Sequence, residues 1–201
     1  MITIIQDVEQ SSKTKTCETV EIGKLPRNKR LELARSSDAT ENILAVLCDD
    51  PDRNIRWEVA RNRRTPPIVL ERLSSDKDRF ILWALAANMN TPSEVLDQLN
   101  SGGNSWVRGA VAKNKNSSSQ TLTQLSRSES PWIRNLVAEH ENTPPSVLNR
   151  LGHDEDPWVR EAVAKNLNTP TETLTRLNHD DDQDVREAAL LHLEETSKIT
   201  Q

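Results

Sequence analysis

Hydrophobic positions recur along this chain with a period of 26 residues and without a gap. The alanine row consists of Ala34, Ala60, Ala86, Ala112, Ala138 and Ala164. Two leucine rows run from Leu44 to Leu174 and from Leu47 to Leu177, and a β-branched row runs from Ile55 to Val185. A fixed period of this length is typical of repeat proteins, in which each unit buries its apolar face against its neighbours. The pattern therefore predicts a solenoid.

Each unit contains two apolar patterns with helical spacing. In the first, which we call helix A, leucines three residues apart, such as Leu96 and Leu99, predict a narrow stripe on a helix of about two turns, α-helical or partly 3₁₀. In the second, helix B, the residues Val159, Ala162 and Val163 follow the i, i+3, i+4 spacing of one helix face. The sequence thus predicts an all-α fold made of two-helix repeats.

Polar residues at fixed positions mark the helix ends. Hydroxyl side chains are predicted to cap the start of helix A at Thr65, Thr91, Ser117, Thr143 and Thr169, mostly with a proline at the next position. Helix B is predicted to start after Asp52, Asp78, Asn104, Ser130, Asp156 and Asp182. Its end is marked by Asn62, Asn88, Asn114 and Asn166, with His140 and His192 in the same column. Asparagine tolerates the left-handed conformation that ends helices and bonds turn backbone, so we interpret this column as turn chemistry.

The units VREAVAKNLNTPTETLTRL, VRGAVAKNKNSSSQTLTQL and IRNLVAEHENTPPSVLNRL resemble leucine-rich repeat variant units, with the pattern V-R-x-x-V-A-x-N-x-x-T-P-x-x-V-L-x-x-L. The resemblance implies a right-handed α-solenoid of 26-residue two-helix repeats, in which α-helices alternate with short α or 3₁₀ helices. The V-R dipeptide is also similar to HEAT repeats. Some leucine-rich repeat variant proteins carry a cysteine cluster for an iron–sulfur centre. Cys17 and Cys48 cannot supply the four ligands of such a cluster, so no cofactor is expected.

Three segments follow from this pattern. Residues 1–27, with a β-prone start, are predicted to be an N-terminal cap or a partly mobile segment. Residues 28–193 are predicted to form the repeat solenoid, and residues 194–201 are predicted to form a C-terminal tail. The chain shows no apolar run of membrane-spanning length, no signal peptide and no disulfide framework, which predicts a cytoplasmic protein without a membrane partner.

Charge and motifs exclude several classes of function. The segment from Gly152 to Gln201 has 12 acidic and 5 basic residues, a net of −7, whereas nucleic-acid binders usually show a basic stripe. The run from Asp180 to Asp182 lacks the ligand alternation and the glycine of an EF-hand loop, so no metal site is expected. No catalytic motif accompanies the four histidines, which predicts a protein that is not an enzyme.

A column of arginines runs through helix B. Its members are Arg56, Arg108, Arg134, Arg160 and Arg186, with a leucine at position 82. Three units carry a carboxylate six residues earlier, at Asp50, Asp154 and Asp180. The rigid guanidinium fork suits bidentate contacts with carboxylates, so we interpret the column as a structural Asp–Arg ladder. A row of phosphate contacts is the alternative.

All five tryptophans and the only phenylalanine fall on two variable columns of helix B. One column contains Phe80, Trp106, Trp132 and Trp158, and the other contains Trp57 and Trp83. Because tryptophan is usually mostly buried, we expect Trp106, Trp132 and Trp158 to lie half-buried over the turn of the next unit. Trp57 and Trp83 point further from the core spacing and are expected to be more exposed.

One unit departs from the repeat, because Leu82 replaces its arginine. An apolar patch is predicted from Phe80, Leu82, Trp83, Ala87 and Trp57. Packing of Phe80 and Leu82 between repeats is the alternative. Arg56 and Arg61 flank this patch, and arginine with tryptophan is typical of interaction hot spots.

These columns predict a non-enzymatic scaffold that binds a protein partner through the outer face of its second helices. A HEAT-like array that binds nucleic acid is the alternative. The predicted binding residues are Trp57, Phe80, Leu82, Trp83, Trp106, Trp132, Trp158, Arg56 and Arg61.

Overall fold

The computed structural model describes residues 3–5 and 19–199. The strands β1 (Thr3–Ile5) and β2 (Thr19–Glu21) form an antiparallel pair outside the repeat, and a 3₁₀ turn follows at Ile22–Lys24. Of the β-prone start of the sequence, Thr3–Ile5 forms a strand, and Met1 and Ile2 lie outside the described residues. The SSKTKT stretch, which belongs to the segment predicted to be partly mobile, lies outside the described residues.

Helices A and B alternate through the rest of the described chain, as the sequence predicts. The B helices are α1 (Arg27–Arg35), α3 (Arg53–Arg61), α5 (Arg79–Ala87), α7 (Ser105–Lys113), α9 (Pro131–Glu139), α11 (Pro157–Lys165) and α13 (Gln183–Ile199). The A helices are α2 (Glu41–Leu47), α4 (Pro67–Leu73), α6 (Ser93–Gly102), α8 (Ser119–Leu125), α10 (Pro145–Leu151) and α12 (Thr171–Leu177). The A helices are α-helical, which decides between the two forms that the sequence left open. The chain is thus an α-helical repeat protein of the solenoid class.

The chain divides into two compact units, Met1–Pro92 and Ser93–Gln201. In the first unit the B helices α1, α3 and α5 pack side by side. In the second unit α7, α9, α11 and α13 do the same. Within the described part of the chain, no helix combines the length and the apolar character that a bilayer crossing requires.

The repeated apolar rows form the core of each unit. Leu70 in the first unit and Leu148 in the second are fully buried members of one leucine row. Ala60 and Ala138 are fully buried members of the alanine row. Because alanine is small, this row lets neighbouring B helices approach closely, while the leucines of the A helices supply most of the buried apolar volume.

The aspartates predicted to cap helix B do so. The carboxylates of Asp52, Asp78 and Asp156 each accept a hydrogen bond from the backbone amide two residues later. At Asp52 this bond to the amide of Asn54 is the main reason that the pKa of the carboxyl group lies below its usual range. Ser130 occupies the same position but its side chain accepts no capping bond.

The prediction that hydroxyl side chains cap the start of helix A is wrong for the threonine row. The hydroxyl group of Thr65 is buried and donates a hydrogen bond of 2.5 Å to the carbonyl oxygen of Val59, at the end of the preceding helix B. Thr143 bonds Val137 in the same way. The row therefore satisfies orphan carbonyl groups of helix B, and α4 begins one residue later than predicted, after Pro66.

Within each compact unit, the asparagine column joins neighbouring B helices. Asn62, Asn88 and Asn166 have an extended backbone rather than a left-handed one. The Asn166 amide group donates to the carbonyl oxygens of Ala138 and His140, at 2.6 and 3.0 Å. Its own amide oxygen accepts the backbone N–H of Asn168, 2.9 Å away. The column thus combines turn chemistry with hydrogen bonds between neighbouring 26-residue repeats.

His140 replaces asparagine in this column and keeps two of the three side-chain bonds that Asn166 makes. Its Nδ1 atom accepts the backbone N–H of Asn142 at 3.0 Å, and its Nε2 atom lies 2.9 Å from the carbonyl oxygen of Asn114. A neutral imidazole with its proton on Nε2 satisfies both contacts. This explains why a histidine occurs here although no catalytic motif surrounds it.

Cys48 gives a direct test of the packing at the end of α2. Its side chain is buried, and burial is the main factor that raises the pKa of the thiol to about 11. Because the thiolate is the reactive form, we expect Cys48 in a Cys17→Ser variant to react with a thiol reagent at least about 100-fold more slowly in the native protein than in urea. Following the reaction by absorbance measures this. Equal rates would contradict the buried position.

Candidate functional site

Most arginines of the column in helix B form ion pairs within the fold, which leaves other side chains available to contact a partner. The guanidinium group of Arg134 bonds both carboxylate oxygens of Asp154, at 2.7 and 2.9 Å. Arg160 bonds Asp180 in the same bidentate manner, with both distances at 2.8 Å. In the first unit Arg56 bonds Asp76. We call this set of pairs the ladder, and it confirms the structural interpretation of the column.

The carboxylate partner in the ladder is not the one that the sequence indicated. It lies twenty residues after the arginine, whereas the residue six positions earlier contributes its backbone carbonyl oxygen. For Arg160 these partners are Asp180 and the carbonyl oxygen of Asp154. Each arginine of the ladder therefore joins the turn of its own 26-residue repeat to the turn of the next repeat. Arg30, which the sequence analysis did not include, bonds the carboxylate of Asp50 and the carbonyl oxygen of Leu25 in a similar way.

The ladder shifts the pKa values of its members. The hydrogen bond to Asp180 is the main factor that raises the pKa of Arg160. Burial alone would raise the pKa of Asp180. The hydrogen bonds from Arg160 and from the backbone amide of Asp182 outweigh burial and hold this pKa below its usual range. The guanidinium groups of the ladder thus form ion pairs within the protein rather than contacts with a partner.

Arg108 is an exception within the second unit. The residue twenty positions later is Ser128, which has no carboxylate, and the Nε atom of Arg108 is buried without a hydrogen-bond partner. The hydroxyl group of Ser128 still accepts the backbone N–H of Ser130, as the Asp154 carboxylate does for Asp156. The turn is therefore kept, but the ladder is interrupted.

The predicted apolar patch of the first unit is largely assembled. Trp57, Phe80 and Trp83 line a groove of about 330 Å³. Phe80 is 53% exposed and Trp83 is 40% exposed. The guanidinium carbon of Arg61 lies 4.4 Å from the centre of the Trp57 ring, a cation–π distance. Leu82 is only partly exposed and does not line the groove, and Arg56 belongs to the ladder.

The second unit presents three tryptophans on successive B helices. Trp106 is 72% exposed, Trp132 is 45% exposed and Trp158 is 76% exposed. The expectation that all three lie half-buried over the turn of the next repeat is therefore wrong for Trp106 and Trp158, which are largely exposed. Trp132 is half-buried as expected, but it lies against Gly109 of the preceding repeat. Trp57, which was expected to be more exposed than these, is partly buried instead.

Gly109 explains why Trp132 is the least exposed of the three. A Cβ atom at Gly109 would lie 2.0 Å from the Trp132 ring, so the ring lies directly on the backbone of α7. The Trp106 and Trp132 rings pack in a tilted arrangement with their centres 5.8 Å apart. The residue of α9 equivalent to Gly109 is Asn135, which has a side chain where α7 has none, and Trp158 is 76% exposed.

Trp132 and Trp158 line a groove of about 620 Å³ on the B helices α9 and α11. Pro131 contributes a further apolar wall, and Glu139 and Glu161 contribute carboxylates. We call the space bounded by these five residues the tryptophan groove. The sequence analysis identified the tryptophans but missed the two glutamates, which are in variable columns and carry no motif.

The tryptophan groove has an acidic rim. Asn135 donates a hydrogen bond of 2.9 Å to Glu139, and this bond leaves the charge of Glu139 uncompensated. Lys165 lies 2.5 Å from Glu161 and is the cation among the side chains that line the groove. The next B helix, α13, places Asp184 in the tryptophan column and Glu187 in the column of Glu161. Negative charge thus continues along this face of the second unit.

No group of three or more potential metal ligands occurs among the residues that the structure describes. His153 and His179 are exposed, and the Nδ1 atom of each lies near the carbonyl oxygen four residues earlier, at 3.2 and 3.1 Å. These contacts are local and equivalent in two successive units, as repetition of one turn predicts.

Comparisons with known proteins agree with this architecture. A family model described as leucine rich repeat variant matches residues 157–182. A solved structure described as a leucine-rich repeat variant with a novel repetitive protein structural motif is 26% identical, with a TM-score of 0.61. The match covers 81% of this chain and 64% of that protein, so this chain spans less than two thirds of its length. No curated protein matches the sequence.

Two other solved structures are similar to this chain at lower identity and lower TM-score. The structure of YibA from Escherichia coli is 15% identical with a TM-score of 0.47, and the match covers 92% of this chain and 77% of YibA. A HEAT-like repeats protein from Thermococcus onnurineus is 15% identical with a TM-score of 0.32, and that match covers 86% and 76% of the two chains. Residues 157–182 thus match the leucine rich repeat variant model, and the chain is similar in fold to a leucine-rich repeat variant protein.

Proposed function

We propose that this protein is a non-enzymatic helical-repeat scaffold that binds a protein partner through the exposed face of its B helices. The observation that carries the proposal is the exposure of Trp106 and Trp158, together with the groove that Trp132 and Trp158 line. Exposed tryptophans are rare on a surface without a partner, and tryptophan dominates the binding energy of protein interfaces. The groove of the first unit, with Phe80 and Trp83, is a second contact area of the same kind.

A protein partner fits the charges of this surface better than a nucleic acid does. The arginines that could contact phosphates, such as Arg134 and Arg160, bond aspartates in the ladder. The carboxylates of Glu139 and Glu161 line the tryptophan groove, where they would repel a phosphate backbone. Nucleic-acid binding remains the alternative.

Substitution of Trp158 by alanine tests the proposal. Because the ring is 76% exposed, we expect the Trp158→Ala variant to keep its free energy of unfolding within about 1 kcal/mol of the wild type. We expect it to lose most of the protein that the immobilised wild type retains from a cell extract. Ile68→Ala is the matched control, since Ile68 is an exposed apolar residue on helix α4. Equal retention by the wild type and Trp158→Ala would contradict the proposal.

Titration with single-stranded and duplex DNA and RNA separates the two classes of partner. Under the proposal, none of these binds at about 50 mM salt. Binding at micromolar concentration or tighter, which weakens steeply toward about 200 mM salt, would instead favour the nucleic-acid alternative.

A further inference from the structure

We infer, on the basis of the proposed function, that the tryptophan groove takes a basic segment of the partner protein. The lysine or arginine side chains of this segment lie against the rings of Trp132 and Trp158 and next to the carboxylates of Glu139 and Glu161. The inference rests on the combination of exposed aromatic faces and carboxylates in one groove of about 620 Å³.

The aromatic rings supply the first part of this recognition. A cation within about 6 Å of a tryptophan ring centre is attracted by the ring quadrupole, and tryptophan is the strongest of the aromatic residues in this respect. The first unit shows such a contact within the chain itself, between Arg61 and Trp57. Within the described residues the Trp158 ring has no such cation and is largely exposed, so its face is open to one from a partner.

The charges supply the second part. A neutral apolar partner would remove water from the carboxylate of Glu139 without supplying a cation to pair with it. Such desolvation of an unpaired charge is unfavourable. Lys165 already pairs with Glu161, so an acidic partner would meet mainly the charges of Glu139, Asp184 and Glu187 on this face. A basic segment pairs with these carboxylates, and it buries its aliphatic stems against the rings at the same time.

The repeat also sets the spacing that such a segment must have. Packed helices lie about 8–10 Å apart, so equivalent sites on α9 and α11 are separated by about this distance. A polyproline II chain rises 3.1 Å per residue and returns to the same face every third residue, which gives about 9 Å. A segment with a basic residue at every third position therefore presents its cations in step with the repeat.

The test uses the full chain and a fluorescently labelled dodecapeptide of glycine and serine with arginine at every third position. We expect this peptide to bind in fluorescence anisotropy, and we expect its affinity to fall as salt is raised. The same peptide with glutamate in place of arginine should not bind. The Trp158→Ala variant should weaken binding of the arginine peptide at least about fivefold.

Removal of the rim charges completes the test. The double variant with Glu139→Gln and Glu161→Gln should weaken binding at least about fivefold and reduce its salt dependence. The matched control with Glu172→Gln and Asp181→Asn removes the same charge from exposed positions outside the groove and should change binding less than about twofold.

The outcomes separate this inference from the proposed function. If the arginine peptide binds no better than the glutamate peptide at low salt, or if Trp158→Ala leaves its binding unchanged, the inference of a basic ligand is overturned. The proposed function would still stand if Trp158→Ala abolishes retention of a protein from the extract. If neither the peptide nor a retained protein depends on Trp158, both fail.

Discussion

The Asp180→Ala variant is expected to lose on the order of 3 kcal/mol of its free energy of unfolding. The substitution leaves the partly buried guanidinium group of Arg160 without either of its 2.8 Å bonds to a carboxylate. It also removes the acceptor for the backbone N–H of Asp182, 3.0 Å away. An unpaired charge in a low-dielectric site costs more than the pair itself contributes, which is why removal of one partner has a large effect.

Urea denaturation of Asp180→Ala beside Asp181→Ala measures this effect. Asp181 is exposed and its carboxylate takes no part in the ladder, so its substitution should change stability by less than about 0.5 kcal/mol. Equal effects of the two substitutions would show that the ladder contributes little.

The pH dependence of the same pair of proteins gives a second measurement. The pKa of Asp180 is lower in the folded protein than in the unfolded chain, where it is near 3.9. The unfolded chain therefore binds the proton more readily, and the contribution of Asp180 is present above the unfolded pKa. It is lost as the pH falls through the folded pKa. The stability difference between the wild type and Asp180→Ala should accordingly be constant near neutral pH and should shrink below about pH 4.

The ladder also shows what a repeat sequence can predict. The period, the buried rows and the alternation of two helices follow from the sequence, because each apolar column has one period and one face. The partner of Arg160 does not follow in the same way. Asp154 and Asp180 are separated by one period, so both belong to the same column, and the sequence cannot tell a contact within a unit from one with the next unit.

Hydroxyl and aromatic residues were harder to place for different physical reasons. A threonine hydroxyl is both a donor and an acceptor, so Thr65 fits the start of helix A as well as the end of helix B. The structure uses it as a donor to Val59. The exposure of Trp132 depends on Gly109, a residue of the preceding repeat in another column. The sequence period does not relate these two positions, and their contact becomes visible only in the folded structure.

The candidate site therefore contains two kinds of residue: those of the ladder, which recur in most repeats, and those of the groove, which differ between repeats. The arginines of the ladder, such as Arg56 and Arg134, recur because they hold the turns of most repeats. The tryptophans and the glutamates of the groove differ from repeat to repeat, because they face solvent and have no structural role that is common to all repeats. A partner that binds this surface would contact these variable residues rather than the residues that all repeats share.

The Ser128→Asp variant is expected to be more stable than the wild type by about 1–2 kcal/mol. It places a carboxylate twenty residues after Arg108, at the position that Asp154 and Asp180 occupy relative to their arginines. The buried Nε atom of Arg108 would then gain the partner that it lacks. The new carboxylate can still accept the backbone N–H of Ser130, as the Asp154 carboxylate does for Asp156, so the turn is kept.

A double-mutant cycle with Arg108→Met decides whether the gain comes from the restored pair. Arg108→Met alone should leave stability unchanged or slightly raised, because methionine keeps most of the packing and removes a buried group without a partner. In this background Ser128→Asp should no longer stabilise the protein, since its carboxylate has no guanidinium group to bond. If the gain in the urea midpoint persists without Arg108, it arises from the local turn. If Ser128→Asp gives no gain even with Arg108, the repeat geometry at this turn differs from that of the ladder.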